Sequence, residues 1–126
     1  MAHRVFWRVP QQILCMELEG IISLDDFIQI NQTIVDHLGD EIPDRDVALL
    51  VDITQPGHPP RSYPQLKASQ TYVMRRDLKF ILVVGNDKFM RLMTLLTFNL
   101  CRPSLMFFDD MDQALRFVQR NFRVFK

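Results

Sequence analysis

Hydrophobic positions along this chain alternate with polar ones at first, then gather into short unbroken runs separated by stretches of helical spacing. His3 to Val9 alternates and is rich in Val, Phe and Trp. After Pro10, Gln11 and Gln12 the alternation resumes over Ile13 to Leu18, and the two segments predict an antiparallel hairpin. Val47-Ala48-Leu49-Leu50-Val51, ending in Asp52-Ile53-Thr54, is an apolar run of the kind a strand buried on both faces shows. The sheet is expected to centre on it. Lys79 to Val84, closed by Gly85, and Leu105 to Phe108 predict two further strands.

The intervening segments read as helices. Ser23 has the chemistry of an N-cap, with Asp26 placed to complete a capping box, so a helix is expected from about Leu24. Leu24, Phe27, Ile28, Ile34, Val35 and Leu38 recur on one face, and Gly39 stops the run. Asn31 falls inside that face, as a polar group bonded to the sheet or to water, or as a ligand contact. Three prolines between Gln55 and Arg61 exclude helix and interior strand and predict a shaped loop. Ser62 or Tyr63 then caps a second helix, with Pro64 in its first turn, reaching about Arg76 with Leu66, Val73 and Met74 inward. Asn86 or Asp87 caps a third, running to about Cys101. Its expected core face is Phe89, Leu92, Met93, Leu96 and Leu100, which leaves Leu95 and Phe98 near Arg91 on the solvent side and Met90 toward the flank. Asp109 or Asp110 caps the last helix, with Gln113 at the reciprocal box position and Met111, Ala114, Leu115, Val118 and Phe122 as its buried stripe.

One leading strand followed by four strand-helix units predicts an α/β fold: a mixed, mostly parallel sheet covered by helices, with right-handed crossovers. At 126 residues, 48% apolar and 24% charged, a single domain spanning 1–126 is expected. Fifteen basic and fifteen acidic residues balance, so no nucleic-acid partner is implied. The longest apolar tract, Phe89 to Leu100, is interrupted by Arg91 and Asn99 and is too short to span a membrane. Cys15 and Cys101 have no paired spacing and no leader before them, so free thiols and a cytoplasmic address are expected.

The four strand-helix turns, the short helix entered through a Pro- and Ser-containing loop, and Leu105-Met106-Phe107-Phe108-Asp109 followed by Met111-Asp112-Gln113-Ala114-Leu115 resemble the STAS superfamily, the anti-sigma-factor antagonist or SpoIIAA-like fold. The resemblance covers nearly the whole chain, and the closing strand and helix are similar to small bacterial members of unassigned role. In the best-known branch an Asp-Ser or Ser-Gly-Leu signature opens the second helix, and phosphorylation of its serine switches partner binding. Arg61-Ser62-Tyr63-Pro64-Gln65-Leu66 stands in that place here, so the resemblance carries over Ser62 alone as a candidate phospho-acceptor. Phosphate there would meet free amides, the helix dipole and Arg61; a plain N-cap is the other reading.

Open sheets of this kind bind ligands where parallel strands end, and Asp52, Thr54, Asn86 and Asp87 are expected on that rim, followed by Asp109 and Asp110. Asp52-Ile53-Thr54 faintly resembles the nucleophile strand of haloacid-dehalogenase-type phosphatases, but Thr54 replaces the acid-base aspartate. His3, His37 and His58 are scattered, so no metal site is expected. No glycine-rich phosphate loop is present, and no cofactor is expected. The reading that follows is a non-catalytic regulatory or protein-interaction domain whose working surface comprises His58, Arg61, Tyr63, Met90, Leu95 and Phe98. Its partner is another protein or a second copy, as a homodimer. The alternatives are a domain binding a small apolar or lipid-like ligand between the second and third helices, and a magnesium-dependent phosphatase-like enzyme.

Overall fold

The computed structural model describes residues 3–121. A five-stranded sheet has the order β1 (His3–Val9), β2 (Ile13–Leu18), β4 (Val47–Asp52), β6 (Leu78–Val84), β7 (Ser104–Phe108). β1 and β2 form the antiparallel hairpin, and every later neighbour is parallel. β4 is the middle strand, and Val47 through Val51 are each 0% exposed. That explains its unbroken apolar run: it has no solvent face on which to place a polar residue. A bridge outside the main sheet pairs β3 (Gly20–Ile21) with β5 (Gly57–His58), and holds the Pro-rich loop by Gly20 N–H donating to Pro56 O and Ile22 N–H to His58 O.

Helices cover both faces unequally. α1 (Leu24–Leu38), α2 (Tyr63–Ser69) and α3 (Lys88–Phe98) pack on the face that presents Leu14, Met16, Leu49, Val51, Ile81 and Val83. α4 (Met111–Asn121) sits on the other, where Ala114 and Val118 meet the cluster of Ile13, Cys15, Ala48, Leu50, Leu82 and Val84. Phe122, expected on its stripe, lies outside the described residues. The capping box of α1 is complete: Asp26 N–H donates to Ser23 Oγ at 3.0 Å, and Ser23 N–H to Asp26 Oδ2 at 2.9 Å. Phe27, Ile30, Ile34 and Leu38 are its buried stripe, while Ile28, expected inward, is half exposed. Asn31 bonds to a neighbouring turn instead of the sheet. Its Oδ1 accepts from the backbone N–H and Oγ1 of Thr71, which ties α1 to a short 3-10 turn at Thr71–Met74.

Two helix expectations are corrected. The second helix stops at Ser69, because Gln70 takes an extended backbone and turns its amide inward. There Nε2 donates to Phe27 O at 3.0 Å and Oε1 accepts from the Tyr72 hydroxyl at 2.6 Å. This break swings Tyr72 into the core and leaves Met74 exposed. The third helix is rotated from its expected orientation: Met90, Met93, Thr94, Thr97 and Phe98 face inward, and Phe89, Leu92, Leu95 and Leu96 face out. Thr94 and Thr97 are admitted to the core because each hydroxyl donates to the carbonyl a turn earlier, Met90 O and Met93 O. Met90 also fills the space against Gly57, where a Cβ would lie 2.9 Å from its Cε.

At the opposite end from the rim, Asp77 is fully buried between two arginines. Arg45 donates to it at 2.6 Å and Arg75 through Nε and Nη2 at 3.0 Å each, while the same guanidinium groups reach Leu38 O and Gly39 O at the end of α1. Burial pushes the Asp77 carboxyl up, but the hydrogen bonds from Arg75 and Arg45 outweigh it and hold it well below the usual carboxylate range. Because the folded pKa is depressed, this contribution is present above about pH 4 and is lost as pH falls below the unfolded value. Asp77→Ala, which strands two arginines, is expected to cost about 3–5 kcal/mol in denaturant unfolding and to flatten the acid limb of the stability profile.

Candidate functional site

The parallel strands β2, β4 and β6 end together, and their last residues build the rim. Glu17 and Asp52 are register partners at the ends of β2 and β4. They border an open cleft of about 440 Å³ shared with His3, Arg4, Glu19 and Thr54. Arg4 Nε lies 3.2 Å from Glu17 Oε1 on the exposed side of this cleft. Nδ1 of His3 is shut off from solvent and bonds to nothing among the described residues. A neighbouring recess of about 190 Å³ lies between Thr54, Pro56, Asn86 and Asp87. The rim is therefore two shallow hollows with Thr54 at their junction.

Each rim carboxylate that the sequence singled out has a backbone or cationic partner. Asp52 Oδ1 accepts from Thr54 N–H at 2.9 Å and Thr54 Oγ1 at 2.6 Å, closing the turn that leaves β4. Asp87 caps α3 through Met90 N–H, and Asp110 caps α4 through Gln113 N–H, both at 2.9 Å. Asp109 pairs with Arg91 at 3.0 Å, and the same guanidinium donates to Gly85 O and lies over the Phe107 ring. Among the described residues no three His, Cys, Asp or Glu side chains are placed to hold a metal ion. Below the rim, Cys15 is completely buried; burial and the charges of Asp52 and Glu17 push its thiol up to about 12. Cys101, half-buried, donates to Pro103 O, and burial also raises it.

The residues expected on the working surface separate. His58 and Arg61 are exposed, and Tyr63 is half-buried against the main core. Ser62 sits at the N-cap position of α2 with its hydroxyl making no capping bond, though its carbonyl accepts from Leu66 N–H at 3.0 Å. Leu95 is exposed, whereas Met90 and Phe98 are 1% and 3% exposed and belong to the core. The loop and α3 are adjacent, since Gly57 abuts Met90.

Beside Leu95, which was expected outside, the surface includes Phe89, Leu92, Leu96 and Leu100, which were assigned to the core. Phe89, Leu92, Leu95 and Leu96 are 37–52% exposed along one flank of α3, a length of about 10 Å, and Leu100 beyond its end is 88% exposed. Leu100 also holds a left-handed backbone, φ 61°, which disfavours a leucine by about 1–2 kcal/mol. The legible clue was the pair Thr94 and Thr97, three apart with Met90 and Met93 beside them: threonines satisfied by their own helix can pack inward.

A sheet of this order, with three helices on one face and one on the other, defines an α/β domain with the STAS-like fold. The chain belongs to the SpoIIAA-like family, whose model matches residues 13–119. Among solved structures it is similar to an uncharacterized protein from the DUF3478 family with a SpoIIAA-like fold from Shewanella loihica PV-4, at 18% identity and a TM-score of 0.65, covering 93% of this chain and 92% of that one. No curated protein matches. Among the described residues no helix is long and apolar enough to cross a membrane.

Two outcomes test this geometry. Gly85, at φ 134°, leaves no room for a side chain: a Cβ would lie 2.9 Å from Ile53 C and O. Gly85→Ala is expected to destabilise the chain by more than about 1 kcal/mol in urea unfolding. Alkylation of the native protein at about pH 8 should spare Cys15 until denaturant opens the sheet, read by peptide mass mapping.

Proposed function

We propose that this chain is a non-catalytic, cytoplasmic, bacterial regulatory domain that works by docking another protein on the exposed flank of α3 and the adjoining loop at His58 and Arg61. The observation that carries the reading is the apolar arc of Phe89, Leu92, Leu95, Leu96 and Leu100, left in water on a helix whose opposite side already fills the core. An amphipathic helix needs one apolar face to fold, and this one has two. Covering the exposed parts of these side chains is worth on the order of 1 kcal/mol each. Contiguous apolar surface of this kind marks interaction sites. The strained, outward Leu100 points the same way, since strain of this sort collects at functional positions.

Enzyme chemistry has less support, because each singled-out rim carboxylate is engaged by a backbone N–H, a hydroxyl or an arginine. The alternative of an apolar or lipid-like ligand finds a void beneath α3, lined by Met16, Phe27, Met93, Thr97 and Phe98. Its room of about 10 Å³ admits about one water, far less than the roughly 300 Å³ of a small-molecule site. Native mass spectrometry of the purified chain should show its own mass without an added ligand.

Leu92→Gln combined with Leu96→Gln is expected to leave the circular dichroism spectrum and thermal midpoint nearly unchanged, because both side chains are already half in water. The same variant should reduce capture of the partner by about tenfold or more in quantitative co-purification. Undiminished capture would remove the flank from the binding surface.

A further inference from the structure

On the reading that the exposed flank of α3 is a docking face, we infer that its occupant is an acidic amphipathic helix of a different protein. Formal neutrality conceals a separation of charge. Between Ile53 and Phe108 the chain carries eight Lys and Arg but only two carboxylates, Asp77 and Asp87, while the other thirteen acidic residues lie outside this stretch. Asp77 is buried between Arg45 and Arg75, and Asp87 caps α3. Asp77 is already matched by its two arginines, and Asp87, exposed beside Lys88, is the one carboxylate of this stretch that offsets a cation of the flank.

Those cations frame it. Lys88 stands at the start of α3 beside Phe89. Lys67 reaches across from α2 to donate to Asn99 O, and Arg102 follows Leu100 where its backbone N–H meets Val73 O. Arg61 lies at the entry to α2. All four are exposed, and none pairs with a carboxylate among the described residues. The remaining cation on the helix, Arg91, is occupied by Asp109 and Gly85 O. An apolar strip with positive charge at both ends is complementary to a ligand with apolar residues along one face and carboxylates beside them.

Spacing identifies that ligand as a helix. Phe89, Leu92 and Leu96 recur at i, i+3 and i+7 with Leu95 alongside, which is the seam that receives the ridge of a second helix. A second copy of this chain fits worse. Two α3 flanks paired in either direction bring Lys88, Lys67 and Arg102 against cations of the other copy. An anionic bilayer would meet the same cations, but it offers no ridge to fill the seam between these side chains.

The test uses the full chain and two labelled host helices with leucine at the inward positions, one with glutamate and the other with lysine at the flanking ones. In anisotropy titrations the glutamate helix is expected to bind about tenfold or more tightly than its lysine twin. That gap should narrow as salt rises from about 0.1 M to about 1 M and the screening length falls from about 10 Å to about 3 Å. Lys88→Glu with Arg102→Glu, folded by circular dichroism, should reverse the order of the two helices. Equal binding of both helices would overturn the acidic partner while leaving the docking face in place. So would a salt-insensitive dimer in sedimentation equilibrium that Leu92→Gln dissociates, or flotation with phosphatidylglycerol vesicles that Leu92→Gln abolishes. If neither helix, vesicle nor second copy engages the chain, and Leu92→Gln changes nothing, the docking reading falls with it.

Discussion

Burial of β4 and its neighbours on both faces is the constraint from which the rest of the molecule follows. A strand covered on each side accepts apolar side chains throughout, so β2, β4 and β6 can carry polar residues only where they enter or leave the sheet. The ionisable chemistry is displaced to the two ends. At the entering end, Arg45, Arg75 and Asp77 form a buried cluster that fastens the end of α1 to the strand starts. At the leaving end, Glu17, Asp52 and Asp87 border shallow hollows, where Asp52 fastens a turn, Asp87 a helix start, and Glu17 pairs with Arg4. The two ends differ in exposure. The entering cluster is sealed and depends on complete pairing, because a lone buried charge costs several kcal/mol. The leaving rim faces water, where a carboxylate bonded to an N–H is a modest local fastening.

Helix α3 shows what the same demand does to a helix. The sheet face under it accepts Met90, Met93, Thr94, Thr97 and Phe98, a mixture of flexible, small polar and aromatic side chains. Methionine adapts to irregular space, and here Met90 fits against a glycine where a Cβ would collide. The threonines remain buried at little cost because the helix satisfies their hydroxyls. Better hydrophobes, four of them Phe or Leu, are thereby left outside on the helix. The helix is therefore apolar on two sides, and the sheet can cover only one of them.

Legibility followed the number of independent signals at each position. The hairpin, the central strand, the parallel order and the α1 boundaries were readable because period, cap and stop residues agreed at Ser23, Asp26 and Gly39. Membership of the SpoIIAA-like family was readable for the same reason, from the order of elements taken together. The second helix misled because Gln70 looks like ordinary helix, and only its bonds to Phe27 O and Tyr72 reveal a buried break. The third misled because hydropathy ranks leucine above threonine as a core residue, so the apparent face was the wrong one. Of the expected surface, His58, Arg61 and Leu95 lie outside, while Met90 and Phe98 do not. The strand-end cleft was legible at Asp52 and Thr54, but Glu17, Glu19, His3 and Arg4 join it only through the β1–β2–β4 register.

The contrast between the two exposed features bears on mechanism. Bond-making chemistry needs a group held ready and left unsatisfied, so that substrate completes it. The carboxylates singled out on the rim are each already engaged, through one oxygen, in holding the fold itself. The α3 flank is unsatisfied in the sense appropriate to contact: apolar surface left in water, a leucine held in a disfavoured backbone, and cations without carboxylate partners among the described residues. A partner that removes this surface from water and neutralises its ends gains from both at once, and needs no rearrangement of the sheet to do so.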